Sequence, residues 1–334
     1  MQDKRDVLRI NTPNIEIDCW EICNQLIKET NSIIHLGITR NTTGNIVIEN
    51  LIQQGRRTLY SLFGAGLHGK NGINPPISKH IWPTFVTPRL LYSTEILQLK
   101  DSDIKRLDLF QIKTLKQLQW LPDRCAGSAV YLLLGAEPIQ QQIDKKILTL
   151  FGQITRDPDT LEFQIAQRQI SIHEINSTSW FSLVLKLLLR YDLPTALEVL
   201  TSPLTKTQWK NMIDKKINQY WMKHILEKEN KSSLKFMSKT LCQFGKQHST
   251  WSFVRDNPTD VQKAAITTRI LTGCYTLQAN RSKFNQYKVD PSFPICKSAP
   301  EDRKHFILQC SSIERIRGKY LPKIRNFINE SDKT

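Results

Sequence analysis

The sequence predicts a mainly α protein with a small N-terminal β segment and a C-terminal helical region that carries a cysteine–histidine cluster. Three observations carry that expectation. After residue 49 apolar residues recur at helical spacing, most cleanly in Trp209, Met212, Ile213, Ile217, Tyr220, Trp221 and Ile225. Short β-branched runs crowd into the first 48 residues, too few strands to close a stable domain alone. Near the end, Cys296, His305 and Cys310 read C-x8-H-x4-C.

In chain order, Val7–Ile10, Ile15–Ile17, Ile33–Thr39 and Ile46–Ile48 read as strands, separated by Asn-Thr-Pro-Asn and Asn-Thr-Thr-Gly-Asn turns. A helix is expected through Leu51 and Arg56–Phe63, ended by the glycine-rich stretch Gly64–Gly72. A second runs over Ile77–Phe85, bent by Pro83 and Pro88, and Leu90–Leu99 continues the helical pattern. Asp101-Ser102-Asp103 offers an N-cap for a long helix to Trp120. Further helices are expected over 137–151, 158–169, 178–191, 194–201, Lys206–Glu229, Pro258–Gly273 and Ser311–Asn329. The polar segment 230–257 reads as loop-rich.

The chain has 334 residues, more than one core usually covers, so two or more domains are expected. With 40% apolar and 23% charged residues it is not a wholly disordered polymer. The net charge is +16, and it is uneven. Residues 201–334 carry 25 Lys plus Arg against 11 Asp plus Glu, which points to a polyanionic partner for the C-terminal third. Seven scattered cysteines do not resemble a secreted disulfide framework, and MQDKRDVLRI lacks the apolar core of a signal peptide. The run Trp180–Leu193 is short and broken by Lys186, Arg190 and Asp192, so no membrane partner is expected. Nucleus or cytoplasm is the expected location.

Gly64–Asn71 reads G-x-x-x-x-G-K-N, a phosphate-binding loop with Asn in place of the Mg²⁺-ligating hydroxyl. It follows a helical run rather than a strand, so a glycine-rich interhelical turn is the simpler reading, with His68 and Lys70 near any phosphate. Arg56 and Arg57 read by themselves as a solvated helix face. There is no Tyr-x-Asp-Asp and no Asp-Asp pair to hold Mg²⁺. In C-x8-H-x4-C, two thiolates and an imidazole suit zinc, but structural zinc takes four ligands. A ligand completing a C-x2-C arm falls at position 293, which is Phe293. Three ligands give an open, weak zinc site or none, and buried free thiols with a surface histidine account for the spacing equally.

HLGITRN at 35–41, GRRTLYSLFGAGLHGKNGINP at 55–75, FVTPRLLYSTEILQL at 85–99 and LKQLQWLPDRCAGSAVYLLLGAEP at 115–138 resemble the region after the reverse-transcriptase domain in LINE-type (non-LTR) retrotransposon polyproteins. TRILTGCYTLQANRSKF at 268–284 and PICKSAPEDRKHFILQC at 294–310 resemble it too. The resemblance implies an end-of-palm β remnant over 1–48, a thumb-like helical region over 49–135, a helical connector over 136–257 and a basic knuckle region over 258–334. The family's knuckle, C-x2-C-x8-H-x4-C, falls on Phe293, Cys296, His305 and Cys310, with Phe293 replacing the first ligand.

It further implies contact with RNA and DNA during target-primed reverse transcription, alongside an upstream polymerase half that supplies the catalytic carboxylates. By itself the chain is expected to have no catalytic residues and no Mg²⁺ site. Arg56, Arg57, Lys70 and Arg89 would face nucleic-acid phosphates. Lys210, Lys216, Lys223, Arg281 and Lys283 would add contacts from the basic third. Trp251 and Tyr275 are candidates for stacking on unpaired bases, with core packing the ordinary alternative. The competing readings are a protein-interaction scaffold and a nonfunctional transposon relic.

Overall fold

The computed structural model describes residues 6–8, 21–22, 25–42, 48–227, 242–254, 257–284 and 288–331. The fold is mainly helical, with a small β region at the N-terminus. Among the described residues the β region shows three two-stranded pairings. β1 (Asp6–Val7) pairs in parallel with β4 (Lys28–Glu29), and β2 (Glu21–Ile22) pairs antiparallel with β3 (Gln25–Leu26). β5 (Ser32–His35) and β6 (Ile38–Asn41) form an antiparallel hairpin. The single strand expected over Ile33–Thr39 is thus a hairpin instead. Leu36 and Gly37 both take positive φ, the two-residue turn whose twist matches paired strands. Ile15–Ile17 lies outside the described residues, and Ile48 opens the first helix rather than closing a strand.

α1 (Ile48–Ser61) buries Ile48, Leu51, Ile52 and Leu59. α2 (Pro75–Ile81) passes through a π-helical turn at Trp82–Val86 into α3 (Thr87–Leu90). Pro83 and Pro88 lack amide donors, so the hydrogen-bond ladder is interrupted here. Leu90–Leu99 is not helical beyond Leu90. Ser93 adopts positive φ, and Thr94 Oγ1 donates to Leu91 O at 3.0 Å, which closes a turn. Leu91 and Leu97 are nonetheless buried, which explains their apolar pattern.

α4 (Asp101–Leu118) starts one residue earlier than its expected cap, with Lys100 at the N-cap position and no side-chain cap. Asp101 and Asp103 instead lie in the first turn, where a negative charge favours the helix dipole. α5 (Gly127–Leu134) is a short helix that the sequence reading did not separate, with every residue from Ala129 to Leu134 buried. α6 (Ile139–Ile154), α7 (Leu161–Ile172), α8 (Trp180–Arg190) and α9 (Ala196–Thr201) follow close to their expected places. Thr195 and Glu198 form a capping box on α9.

α10 (Lys206–Glu227) packs its Trp209, Ile213 and Ile217 stripe against α6. The approach is close because residue 152 on α6 is glycine. A β-carbon there would fall on the Trp209 indole, whose Nε1 donates to Leu148 O at 2.8 Å. Of the segment expected to be loop-rich, residues 230–241 and 255–256 lie outside the described residues, as do the last two residues, 228–229, of the helix expected before it. The rest packs back on α5. Gly245 N donates to Gly135 O at 2.8 Å and His248 N to Leu133 O at 3.0 Å, before α11 (Ser249–Ser252).

α12 (Pro258–Leu271) has Asn257 as its N-cap, with Asn257 Oδ1 accepting from Thr259 N. α13 (Gln278–Phe284) was not expected from the sequence. α14 (Glu314–Ser331) follows a 3₁₀ turn at Ser311–Ile313, three residues after the expected start. One continuous apolar cluster runs from Ile48 to Cys274.

Candidate nucleic-acid interface and metal centre

Three groups of predicted residues are separated by the fold. The first lies where α1 meets α3. Gly55 lets the Leu90 side chain approach α1, and Arg89 Nη1 reaches across to donate to Thr58 Oγ1 at 3.2 Å. Arg56, Arg57 and Arg89 are all exposed, and none is in an ion pair among the described residues. Three exposed guanidinium groups thus come from two adjoining helices, α1 and α3.

The second group forms around the glycine-rich turn. Gly69 has φ +96°, and a β-carbon there would fall on Gln117 O at the end of α4. Gln117 Nε2 donates to His68 O at 3.0 Å. The second glycine of the G-x-x-x-x-G-K-N stretch, Gly69, therefore serves a turn seated on α4. Lys70 on this turn is exposed and lines a cavity with Arg124, Arg269 and Tyr275. Neither Arg124 nor Arg269 was singled out from the sequence. They lie 145 residues apart, and no spacing rule says that they meet. Cys125 and Cys274 tie the same two segments together. A hydrogen bond from Cys125 pulls the Cys274 thiol down to about 7, and the same bond, with burial, pushes Cys125 up.

Of the cations named in the basic C-terminal third, two are in ion pairs among the described residues. Lys216 pairs with Asp192 at 2.5 Å and Lys223 with Glu227 at 3.8 Å. Lys210 and Lys283 are exposed, and Arg281 Nη1 donates to Gln278 Oε1 at 3.3 Å. Trp251 is fully buried and its Nε1 donates to Gln119 Oε1 at 3.2 Å, so it packs in the core and offers no ring to a base. Tyr275 is half-buried at the cavity wall.

The third group is the knuckle. The ligand atoms of Cys296, His305 and Cys310 all lie within 4.8 Å of one another, with Cys296 Sγ and His305 Nε2 3.1 Å apart. The backbone makes the tight turn such a site needs. Lys297 N donates to Phe293 O at 2.8 Å, Phe293 N to Ala299 O at 3.0 Å, and Lys297 adopts positive φ. Asp302 Oδ1 accepts from His305 N at 2.7 Å, and His305–Gln309 then forms a π-helical turn that returns Cys310 to the cluster. The Ser298 hydroxyl and amide hold the Cys296 thiol down to about 6, with His305 and Cys310 adding to the effect.

Two thiols and an imidazole fit zinc, and they are three of the four ligands that a structural site takes. Phe293, at the place of the missing ligand, is buried. Its ring packs edge-on against His305 and Phe306 at 5.9 and 5.8 Å between centroids. The aromatic ring thus supplies by packing part of the order that a fourth ligand would supply by coordination.

Among the described residues no helix is long and apolar enough to cross a membrane. Compared with protein families, curated proteins and solved structures, the chain matches none.

Proposed function

We propose that this chain is the nucleic-acid-binding C-terminal portion of a LINE-type reverse transcriptase, contacting RNA and DNA during target-primed reverse transcription. It has no polymerase activity of its own in this reading, since the Asp pair belongs to an upstream half. The single observation that supports it best is the trio Arg56, Arg57 and Arg89 on the adjoining helices α1 and α3, three exposed guanidinium groups with no ion pair among the described residues. Guanidinium groups left unneutralised on one face release counterions when they meet phosphates.

A salt titration of the full chain with RNA and with duplex DNA tests this. Log affinity falls steeply with log salt, and each Arg→Ala change at 56, 57 or 89 lowers the slope by about one. No binding to either at about 50 mM salt overturns the reading and favours the scaffold alternative.

The same reading places weakly held zinc on Cys296, His305 and Cys310. After dialysis the native chain retains less than one zinc per chain, and Phe293→Cys retains one. Tight stoichiometric zinc in both would show that a fourth ligand is already present.

A further inference from the structure

A cavity of about 580 Å³ lies between the glycine-rich turn, the end of α4 and the turn after α12. Lys70, Arg124 and Arg269 line it, and none of its lining residues is Asp or Glu. None of these three cations is in an ion pair among the described residues. Both guanidinium groups are held by uncharged oxygens instead. Arg124 Nη2 donates to Cys274 O at 2.5 Å and to Thr276 Oγ1. Arg269 donates to Trp120 O through Nε at 2.8 Å and also through Nη2. Carbonyls orient a guanidinium without neutralising it, so the charge stays available to an anion.

A second cavity shows the contrast. The space of about 370 Å³ beside Leu91 and Tyr92 is lined by Lys145 and Lys146, but Glu137 and Glu95 line it too. They close on the two lysines at 2.6 and 2.7 Å. That cavity neutralises itself, whereas the first does not.

Two further features mark the first cavity. Trp120 on its wall adopts φ +58° and closes α4, with Trp120 N donating to Gln117 O at 3.1 Å and Leu121 N to Lys116 O at 2.9 Å. Its buried Nε1 has no hydrogen-bond partner among the described residues. Tyr275 lines the same wall, half-buried, with no ring contact among the described residues.

We infer that this cavity holds one unpaired nucleotide of a single strand, with its phosphodiester against Lys70, Arg124 and Arg269 and its base on the Tyr275 ring. The inference rests on the proposed nucleic-acid binding and deepens it by assigning single strands to the cavity and duplex to the α1–α3 face. A volume of about 580 Å³ lies in the range of small-molecule sites and suits a single nucleotide. An aromatic ring beside phosphate-binding cations is the arrangement by which proteins hold unpaired bases without reading their sequence.

The test uses the full chain with short oligo(dT), short oligo(rU) and a blunt-ended DNA duplex, read by fluorescence anisotropy. Lys70→Ala and Tyr275→Leu avoid the two arginines that also hold the backbone. Each lowers single-strand affinity by about tenfold and changes duplex affinity by less than about twofold. Lys70→Arg restores single-strand binding. Arg56→Ala with Arg57→Ala does the reverse, with the larger loss on duplex. Losses on either or both of oligo(dT) and oligo(rU) support the cavity site.

Unchanged single-strand binding in both Lys70→Ala and Tyr275→Leu overturns the inference, as do equal losses on single strand and duplex. In either case nucleic-acid binding itself still stands. Competition by inorganic phosphate as strong as that by uridine monophosphate overturns the base contact. Absence of binding to every probe at low salt overturns the inference and the proposed function together.

Discussion

On α6, Asp144 is 1% exposed, and its carboxylate accepts from Gln140 Nε2 at 2.6 Å and from the Tyr191 hydroxyl, with Arg190 Nη1 3.6 Å away. Trp221 Nε1 donates in turn to Tyr191 Oη at 3.0 Å. One residue on, Lys145 is closed by Glu137 at 2.6 Å and Asp214 at 3.1 Å. At the glycine-rich turn, by contrast, Lys70, Arg124 and Arg269 converge with no carboxylate among the lining residues. Polar groups in the first region join α6, α8 and α10 through ion pairs and hydrogen bonds. In the second, Arg124 and Arg269 are positioned by carbonyls and keep their charge. Where a cation finds its counterion therefore says more about binding than how many cations a segment contains.

The sharpest way to break the internally satisfied region is Gly152→Ala. The added carbon meets the buried Trp209 indole and separates α6 from α10. A loss of about 3 kcal/mol in urea unfolding is expected. A loss below about 0.5 kcal/mol would mean that the two helices part without cost.

Next comes the pH response of Asp144. Burial pushes its carboxyl up to about 6 from an ordinary 3.8, against the hydrogen bonds from Tyr191 and Gln140 and the charge of Arg190. Between those values the folded chain holds more protons than the unfolded one, so this group's contribution to stability falls as pH rises from about 4 to about 6. The drop is on the order of 3 kcal/mol. Measured as wild type minus Asp144→Asn, the stability difference should decline through that window and level off above it. A flat difference would place the carboxyl in a wetter setting.

Arg269→Lys probes the other region. It keeps the charge but loses the two-toothed grip on Trp120 O. A stability loss of about 1 kcal/mol is expected, together with weaker single-strand binding despite an unchanged net charge. Unaltered binding would mean that charge alone, without placement, suffices. The smallest effect belongs to Lys223→Ala. Its pair with Glu227 is solvent-exposed at both ends, so stability should stay within about 0.5 kcal/mol and nucleic-acid affinity within about twofold.

Much of the helical frame is legible in the sequence. α10 is carried by its Trp209–Ile225 stripe, α9 by the Thr195–Glu198 box and α12 by Asn257-Pro258. The failures have local causes. The β-branched run Ile33–Thr39 hides a hairpin, because Leu36 beside Gly37 takes a left-handed conformation that Leu seldom adopts. Leu91 and Leu97 mimic helical periodicity while packing from a turn. In the candidate site, Lys70 and Tyr275 were named from the sequence, whereas Arg124 and Arg269 were not.

Read by itself, the chain determined its helical class, its basic balance and the C-x8-H-x4-C spacing, because periodicity, composition and spacing are local properties. Only the tertiary structure decided which cations remain free. It turned Lys216 and Lys223 toward carboxylates and buried Trp251. It also gathered Lys70, Arg124 and Arg269 from three distant segments into one cavity. A charge is neutralised by whatever lies within a few ångströms, and that neighbour is chosen by packing rather than by position in the chain.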